Sequence, residues 1–136
     1  MAVRLDRTKK NWMGYIKTEL HSLTCLGDDW DSYGSPPIHP DLINDAHCFG
    51  SFIHINYPGK YYPPVIVPIS GGELQFEWRR PKGFFRRKRY FEIEFDKPGH
   101  MNMLYENNGK FQTWSMKLHD INFWLITIKI LNKVAK

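Results

Sequence analysis

A short basic segment is the clearest candidate for chemistry in this chain of 136 residues. Residues 79–89 read RRPKGFFRRKR and contain no acid, although the whole chain has 14 Asp and Glu against 19 Lys and Arg. Concentrated cations bind phosphate groups or acidic protein surfaces, so the segment predicts a binding surface. The alternative is a solvated loop that only aids solubility. The residues predicted to contact a partner are Arg79, Arg80, Lys82, Phe84, Phe85, Arg86, Arg87, Lys88 and Arg89.

Acidic and apolar residues alternate on both sides of the basic segment. The sequences ELQFEW at 73–78 and YFEIEFD at 90–96 repeat with a period of two, which is typical of strands with one buried face. Pairing them around the basic segment predicts a hairpin with an apolar and a polar face. The predicted apolar pairs are Trp78–Phe91, Phe76–Ile93 and Leu74–Phe95, and the predicted polar pairs are Glu77–Glu92, Gln75–Glu94 and Glu73–Asp96.

The polar face of this hairpin predicts a secondary acidic surface formed by Glu73, Glu77, Glu92 and Glu94. Like charges directly opposite each other destabilise a sheet, so a compensating group is expected. Three interpretations stay open: a solvated surface, a docking surface for a partner, or a carboxylate cluster for a divalent metal in a nuclease. No base or nucleophile stands at a fixed spacing beside these residues, which argues against the nuclease.

The loop LGDDWDSYGSPPIHP also invites a chemical interpretation. Asp29-x-Asp31 resembles the start of a calcium-binding EF-hand loop, but Pro40 occupies the twelfth position, where a bidentate Glu is needed. We therefore predict a structural loop in which Asp29 and Asp31 cap turns. Trp30 and Tyr33 are predicted to anchor this loop against the body of the protein.

Motifs for catalysis and cofactor binding are missing from the sequence. It has no G-x-x-x-x-G-K-[ST], G-x-G-x-x-G, G-x-S-x-G or H-E-x-x-H. Cys25 and Cys48 form no C-x-x-C pair, so free thiols are expected. We expect no cofactor, no bound metal and no enzymatic activity.

Hydrophobic periodicity predicts the helices that must support these surfaces. A first helix is predicted from Asp6 or Thr8 to Gly27, and a second from Pro40 to just before Pro58, since proline suits the first helical position. A final helix is predicted over residues 120–134, with Ile121, Trp124, Leu125, Ile128 and Leu131 on its apolar face.

Turn signals divide the middle of the chain into about five strands. Gly71-Gly72, Pro98-Gly99 and Asn108-Gly109 mark turns, and Pro68 predicts that the first strand is an edge strand. The order predicts one α+β domain over residues 1–136, an antiparallel β-meander with two N-terminal helices and one C-terminal helix. The residues predicted to be mostly buried are Trp12, Leu20, Phe49, Phe76, Trp78, Phe91, Ile93, Phe95 and Trp124.

Size and composition agree with one globular domain. The chain is 42% hydrophobic and 24% charged, which is close to the average for folded proteins. The longest apolar stretch, 121–131, is too short to span a membrane, and no apolar run follows the basic N-terminus. We therefore expect a cytoplasmic protein without a membrane partner.

Two motifs give the chain a resemblance. The segments Trp30-Asp31-Ser32-Tyr33-Gly34 and Gly71–Trp78, with the strand around Glu92 and Glu94, resemble a family of small bacterial and mobile-element proteins that has no assigned activity. The similarity covers about residues 20–106. It implies a role in toxin–antitoxin, immunity or counter-defence systems. The long basic segment departs from the family and is where this member would have acquired its own partner.

These observations predict a non-catalytic binding protein that acts stoichiometrically on a macromolecular partner. The leading hypothesis is an inhibitor or antitoxin in bacterial defence or counter-defence, of an anti-CRISPR-like kind, whose partner is a protein in a nucleic-acid-handling complex. The alternative is direct nucleic-acid binding through the basic segment, with Phe84 and Phe85 stacking on unpaired bases. A metal-dependent nuclease using Glu77, Glu92 and Glu94 is a third hypothesis.

Overall fold

Three helices pack on one face of a five-stranded antiparallel sheet in the computed structural model, which describes residues 6–80, 83 and 86–136. The helices are α1 (Trp12–Thr24), α2 (Pro40–Asn56) and α3 (Ile121–Val134). The strands are β1 (Val65–Ile69), β2 (Glu73–Arg80), β3 (Arg89–Lys97), β4 (His100–Asn107) and β5 (Lys110–Lys117). The strands follow one another across the sheet in chain order, which confirms the predicted α+β meander.

The helix ends follow from local capping chemistry. Pro40 is the first residue of α2, as predicted, and the His39 side chain accepts a hydrogen bond from the Asp41 amide. Asp120 caps α3 by accepting from the Asn122 amide. The first helix is shorter than predicted, because a 3₁₀ turn over Lys9–Asn11 precedes it and α1 already ends at Thr24.

The pairing of β2 with β3 has the predicted register. All three apolar pairs and the polar pairs Glu77–Glu92 and Gln75–Glu94 are formed. The predicted pair Glu73–Asp96 is wrong, because the β2–β3 ladder starts at Leu74–Phe95 and a bulge follows Phe95 in the pairing with β4. Asp96 instead accepts a hydrogen bond of 2.9 Å from Asn102 Nδ2.

The core centres on Phe49 of α2, which contacts aromatic rings from the sheet and from α3. Its ring lies 5.6 Å from Phe76 and 6.2 Å from Phe123, both edge to face, and stacks 5.5 Å from Trp124. Eight of the nine residues predicted to be mostly buried are fully buried. Trp124 is only half-buried, and its outer side stacks on Phe52.

The buried face of α3 differs from the prediction. Ile121 and Leu125 are 67% and 62% exposed, and the helix turns another side toward the sheet. The reason is that α3 is apolar on more than one face, so periodicity alone could not identify the side that meets the sheet. The residues that α3 buries are Phe123, Thr127, Ile130 and Leu131.

Truncation of the hairpin core tests the β2–β3 register. Phe76→Ala and Ile93→Ala each remove a fully buried side chain, so we expect either variant to lose about 2–5 kcal/mol of unfolding free energy in a denaturant titration. Phe111→Ala is the control, because this side chain is mostly exposed on β5. A β2–β3 variant that unfolds like wild type would show that the register is shifted by one residue.

Candidate binding surfaces

The hairpin between β2 and β3 gathers the predicted cations at one end of the sheet. Arg79 and Arg80 end β2, and Arg89 begins β3. Between them, Gly83 and Arg86 form an isolated bridge with two backbone hydrogen bonds of 3.2 Å. The side chains of Arg86, Arg87 and Lys88 are exposed, whereas the predicted contact residues Lys82, Phe84 and Phe85 lie outside the described residues.

The cationic side chains of the hairpin lie on both sides of the sheet. Arg79 lies on the open side of the sheet, away from the helices, where its guanidinium carbon is 5.0 Å from the centre of the Tyr90 ring. Lys88 Nζ is 3.7 Å from Glu106 Oε1. Within the described parts of the chain, this is the only ion pair that a cation of the hairpin makes with a carboxylate. Most of the positive charge on the described residues of the hairpin is therefore not neutralised by ion pairs.

Arg80 and Arg89 lie on the helix side of the sheet, where they pair directly across β2 and β3. Arg80 Nη1 donates a hydrogen bond of 2.8 Å to the carbonyl of Lys133 near the end of α3, which is favourable because a helix C-terminus carries partial negative charge. The same row continues through Asn107 of β4 to Lys110 of β5.

This row adds Lys110, and the contact of Arg80 with α3 adds Lys133; the sequence analysis missed both cations. Both are distant from the hairpin in sequence, and a register traced beyond β3 would have been needed to place Lys110 beside it. We call the whole surface the basic end. It consists of Arg79, Arg80, Arg86, Arg87, Lys88, Arg89, Lys110 and Lys133.

The carboxylates of the hairpin lie on the open side of the sheet, as predicted, and a glutamine joins two of them. Gln75 Nε2 donates to Glu77 Oε1 at 2.8 Å and to Glu92 Oε2 at 3.0 Å. The Tyr90 hydroxyl donates to the same Glu92 oxygen at 2.6 Å. Burial and this hydrogen bond raise the pKa of Tyr90 well above its ordinary value, so the phenol stays a donor. These donors provide the compensation expected between opposed glutamates.

A second pair of carboxylates shares this surface, which we call the acidic face and define by Glu73, Glu77, Glu92 and Glu94. Burial, a side-chain hydrogen bond with Glu73 and repulsion from Glu73 and Asp96 raise the pKa of Glu94. Burial alone would raise the pKa of Asp96, but its bond to His100 lowers it overall. Asp96 thus stays ionised while Glu94 holds its proton more tightly. A groove of about 290 Å³ borders Glu92 and Glu94.

The described residues contain no group of three or more His, Cys, Asp or Glu side chains arranged to hold a metal ion. The nuclease hypothesis therefore finds no metal-binding cluster at Glu77, Glu92 and Glu94 within this part of the chain. Cys25 and Cys48 are free, as expected, and both are exposed.

Asp31 holds the loop between α1 and α2 together. Its carboxylate accepts hydrogen bonds from the Tyr33 amide at 2.9 Å, from the amide and hydroxyl of Ser35, and from the Ser70 hydroxyl at 2.9 Å. These bonds, led by the Ser35 hydroxyl, hold the pKa of Asp31 well below its ordinary value. Asp29 accepts from the Gly34 amide at 2.7 Å, so both aspartates cap turns as predicted.

The two predicted aromatic anchors of this loop behave differently. Trp30 is half-buried and its Nε1 donates a hydrogen bond of 2.9 Å to the Pro36 carbonyl, so it is an anchor. The prediction for Tyr33 is wrong, because its side chain is 91% exposed. The chain turns around this residue, with φ of +64° at Ser32 and +82° at Gly34, and only the Tyr33 amide supports the loop.

Gly72 fastens the same loop to the β1–β2 turn. The His39 amide donates a hydrogen bond of 3.0 Å to the Gly72 carbonyl. A Cβ at position 72 would lie only 2.8 Å from the Pro37 carbonyl oxygen, whereas a Cβ on Gly71 would meet open space. Gly71 and Gly72 both have positive φ, +93° and +85°. The close approach of the two backbones therefore explains the second glycine, and the turn conformation explains both.

Comparison of the chain with protein-family models, curated proteins and solved structures finds no match. The resemblance carried by the Trp30–Gly34 and Gly71–Trp78 segments therefore stays a prediction. Of the helices that the structure describes, none combines the length and apolar character needed to cross a membrane.

Substitution of the paired glycines separates the two explanations. Gly71→Ala should cost about 1–2 kcal/mol, because a side chain is strained at positive φ. Gly72→Ala should cost a further ~1–3 kcal/mol, since its Cβ must also displace the Pro37 carbonyl. Denaturant titration of both variants measures the difference. Equal losses would contradict the close approach of loop and turn.

The raised pKa of Glu94 predicts a pH-dependent stability. A raised folded-state pKa contributes stability below the ordinary value of 4.5 that is lost as pH rises through the folded-state pKa. Glu94→Gln should therefore melt at a higher temperature than wild type at about pH 7, and the difference should disappear below about pH 4.

Glu19→Gln is the control for this pH series, because it removes the same charge from α1. Thermal unfolding midpoints of the three proteins give the comparison. A Glu94→Gln variant that is less stable than wild type at neutral pH, or whose difference is the same at every pH, would contradict the carboxyl pair.

Proposed function

We propose that this protein is a non-catalytic binding protein whose basic end binds the phosphate backbone of a single-stranded nucleic acid. The observation that carries the proposal is the convergence of cations from β2, β3, β5 and α3 on one end of the sheet. Lys88 is the only one of the hairpin's described cations with a carboxylate at ion-pair distance. Positive charge that is concentrated and unpaired attracts a polyanion and steers its approach.

The arginines of the basic end suit phosphate oxygens. Their planar guanidinium groups form two parallel hydrogen bonds to phosphate, and Arg86 and Arg87 are exposed and free to do so. Phe111 of β5 is 62% exposed on the open side of the sheet, across from Glu106 and on the opposite side from Lys110, and its ring is available to stack on an unpaired base. This aromatic side chain favours a single strand over a duplex. The predicted stacking residues Phe84 and Phe85 lie outside the described residues.

The acidic face supports a second candidate function, an inhibitor that occupies the cationic groove of a nucleic-acid-handling complex. Gln75 and Tyr90 hold Glu92 in place, and Gln75 also holds Glu77, so the carboxylates are presented in a fixed arrangement on the open side of the sheet. Fixed negative charges can imitate phosphates. This is the anti-CRISPR-like or antitoxin role, which agrees with the defence or counter-defence role that the family resemblance implies, and the protein would act in the cytoplasm.

Charge removal at the hairpin tests the proposal. We expect Arg86→Gln, Arg87→Gln and Lys88→Gln together to weaken binding of a fluorescent single-stranded oligonucleotide by at least about tenfold. Each lost phosphate contact should also flatten the log–log salt dependence by about 0.7, so the triple variant should lose roughly 2 from the slope. Fluorescence anisotropy at several salt concentrations measures both quantities.

The matched control removes three exposed lysines elsewhere, through Lys10→Gln, Lys17→Gln and Lys117→Gln. It changes net charge equally and should leave most of the affinity and the slope intact. Equal losses in the two triple variants would show that net charge, and not the basic end, governs binding. Absence of oligonucleotide binding by wild type would contradict the proposal and favour the protein-directed inhibitor.

A further inference from the structure

Four buried polar atoms without hydrogen-bond partners lie together at the basic end. They are Arg80 Nε, Arg89 Nε, the Tyr105 hydroxyl and Asn107 Oδ1, and no other buried side-chain atom in the described regions is unpartnered. Arg80 pairs across the sheet with Arg89 and Arg89 with Asn107, while Tyr105 is the neighbouring residue on the same face of β4. Buried polar atoms are normally hydrogen-bonded, so the concentration of exceptions in one place points to a ligand.

A groove of about 350 Å³ opens beside two of these four residues, Tyr105 and Asn107. Its lining contains two cations and no acid: Tyr105, Asn107, Lys110, Phe111, Gln112 and Lys133. Tyr105 is only 4% exposed, and Lys133 Nζ lies 5.8 Å from the centre of its ring. A ligand in this groove would therefore meet the ammonium groups of Lys110 and Lys133 and the buried side chain of Tyr105.

The unpartnered atoms define the chemistry of that ligand. Two of the four atoms belong to residues that line the groove: Asn107 Oδ1 requires a donor, and the Tyr105 hydroxyl can act as either. The guanidinium Nε–H groups of Arg80 and Arg89, which require acceptor oxygens, lie in the cross-strand row that ends at Asn107 and border the groove without lining it. A phosphate monoester supplies all of these, since its second pKa near 6 leaves part of it with a P–OH donor beside its acceptor oxygens. An ionised carboxylate or an internal phosphodiester has acceptors only. Arg80 is also held in place, because its Nη1 is bonded to the Lys133 carbonyl.

We infer that this groove binds a phosphate monoester, and that on a nucleic acid strand the group bound is the terminal phosphate. The part of this inference that concerns nucleic acid rests on the proposed function and deepens it. A bound strand would place its terminal phosphate in the groove and its internal phosphates against Arg86 and Arg87. Inorganic phosphate has the same chemistry and is the second source that a test must distinguish.

The test compares two oligonucleotides of one sequence, with a 5′-phosphate or a 5′-hydroxyl, in fluorescence anisotropy titrations. We expect wild type to bind the phosphorylated strand about tenfold more tightly, since its terminal group gains charge-assisted hydrogen bonds. Tyr105→Phe should reduce the preference severalfold. It deletes only an unpartnered hydroxyl, so its melting temperature should not fall. Tyr15→Phe, a second buried tyrosine on α1, is the control and should keep the full preference.

A parallel titration with inorganic phosphate, followed through the arginine Nε–H signals in NMR spectra, distinguishes the two claims. Equal binding of both strands, or a full preference in Tyr105→Phe, would overturn the phosphate groove while leaving the basic end as a nucleic-acid surface. If wild type binds neither strand but phosphate shifts the Arg80 and Arg89 signals, the groove stands and the proposed function falls. If phosphate shifts neither signal and neither strand binds, both are wrong.

Discussion

The pairing of β2 with β3 determines where each chemical group of this protein lies. Its register brings Phe76 against Ile93 and Trp78 against Phe91 beneath the helices, where Phe49 packs on them. Because side chains alternate along a strand, the same register must send the intervening glutamates to the open side. A shift of one residue would bury the carboxylates and expose the aromatic rings, so core packing and surface charge depend on one constraint.

Two surfaces of opposite charge follow from this hairpin, and each requires support from elsewhere in the chain. On the acidic face, Gln75 donates hydrogen bonds to both Glu77 and Glu92, and burial and the neighbouring Glu73 raise the pKa of Glu94. At the basic end, by contrast, buried polar atoms lack partners, and of the cations that the structure describes in the turn only Lys88 has a carboxylate at ion-pair distance. The acidic face is thus largely satisfied internally, whereas the basic end has unused donors. This contrast favours the basic end as the surface that meets a ligand.

The sequence predicted what local patterns control. Strict alternation predicted the β2–β3 register, and Pro40 predicted the start of α2. Four features needed contacts that no local pattern encodes. Periodicity could not orient α3, which is apolar on several sides, and the bulge after Phe95 removed Asp96 from its expected pair. Tyr33 lies in a turn that directs its side chain into solvent. Lys110 joins the basic end only through the register of β4 with β5. The four unpartnered atoms likewise come from three strands and have no sequence signature.

Chemical-shift mapping with a single-stranded oligonucleotide tests the central claim most directly. Backbone and arginine side-chain signals would be followed while a 5′-phosphorylated strand is added to the labelled protein. The account predicts the largest shifts at Arg79–Arg80, Arg86–Arg89, Asn107–Lys110 and Lys133, with little change at Gln75, Glu77 and Glu94. Shifts concentrated on the acidic face, or no shifts at saturating oligonucleotide, would contradict it.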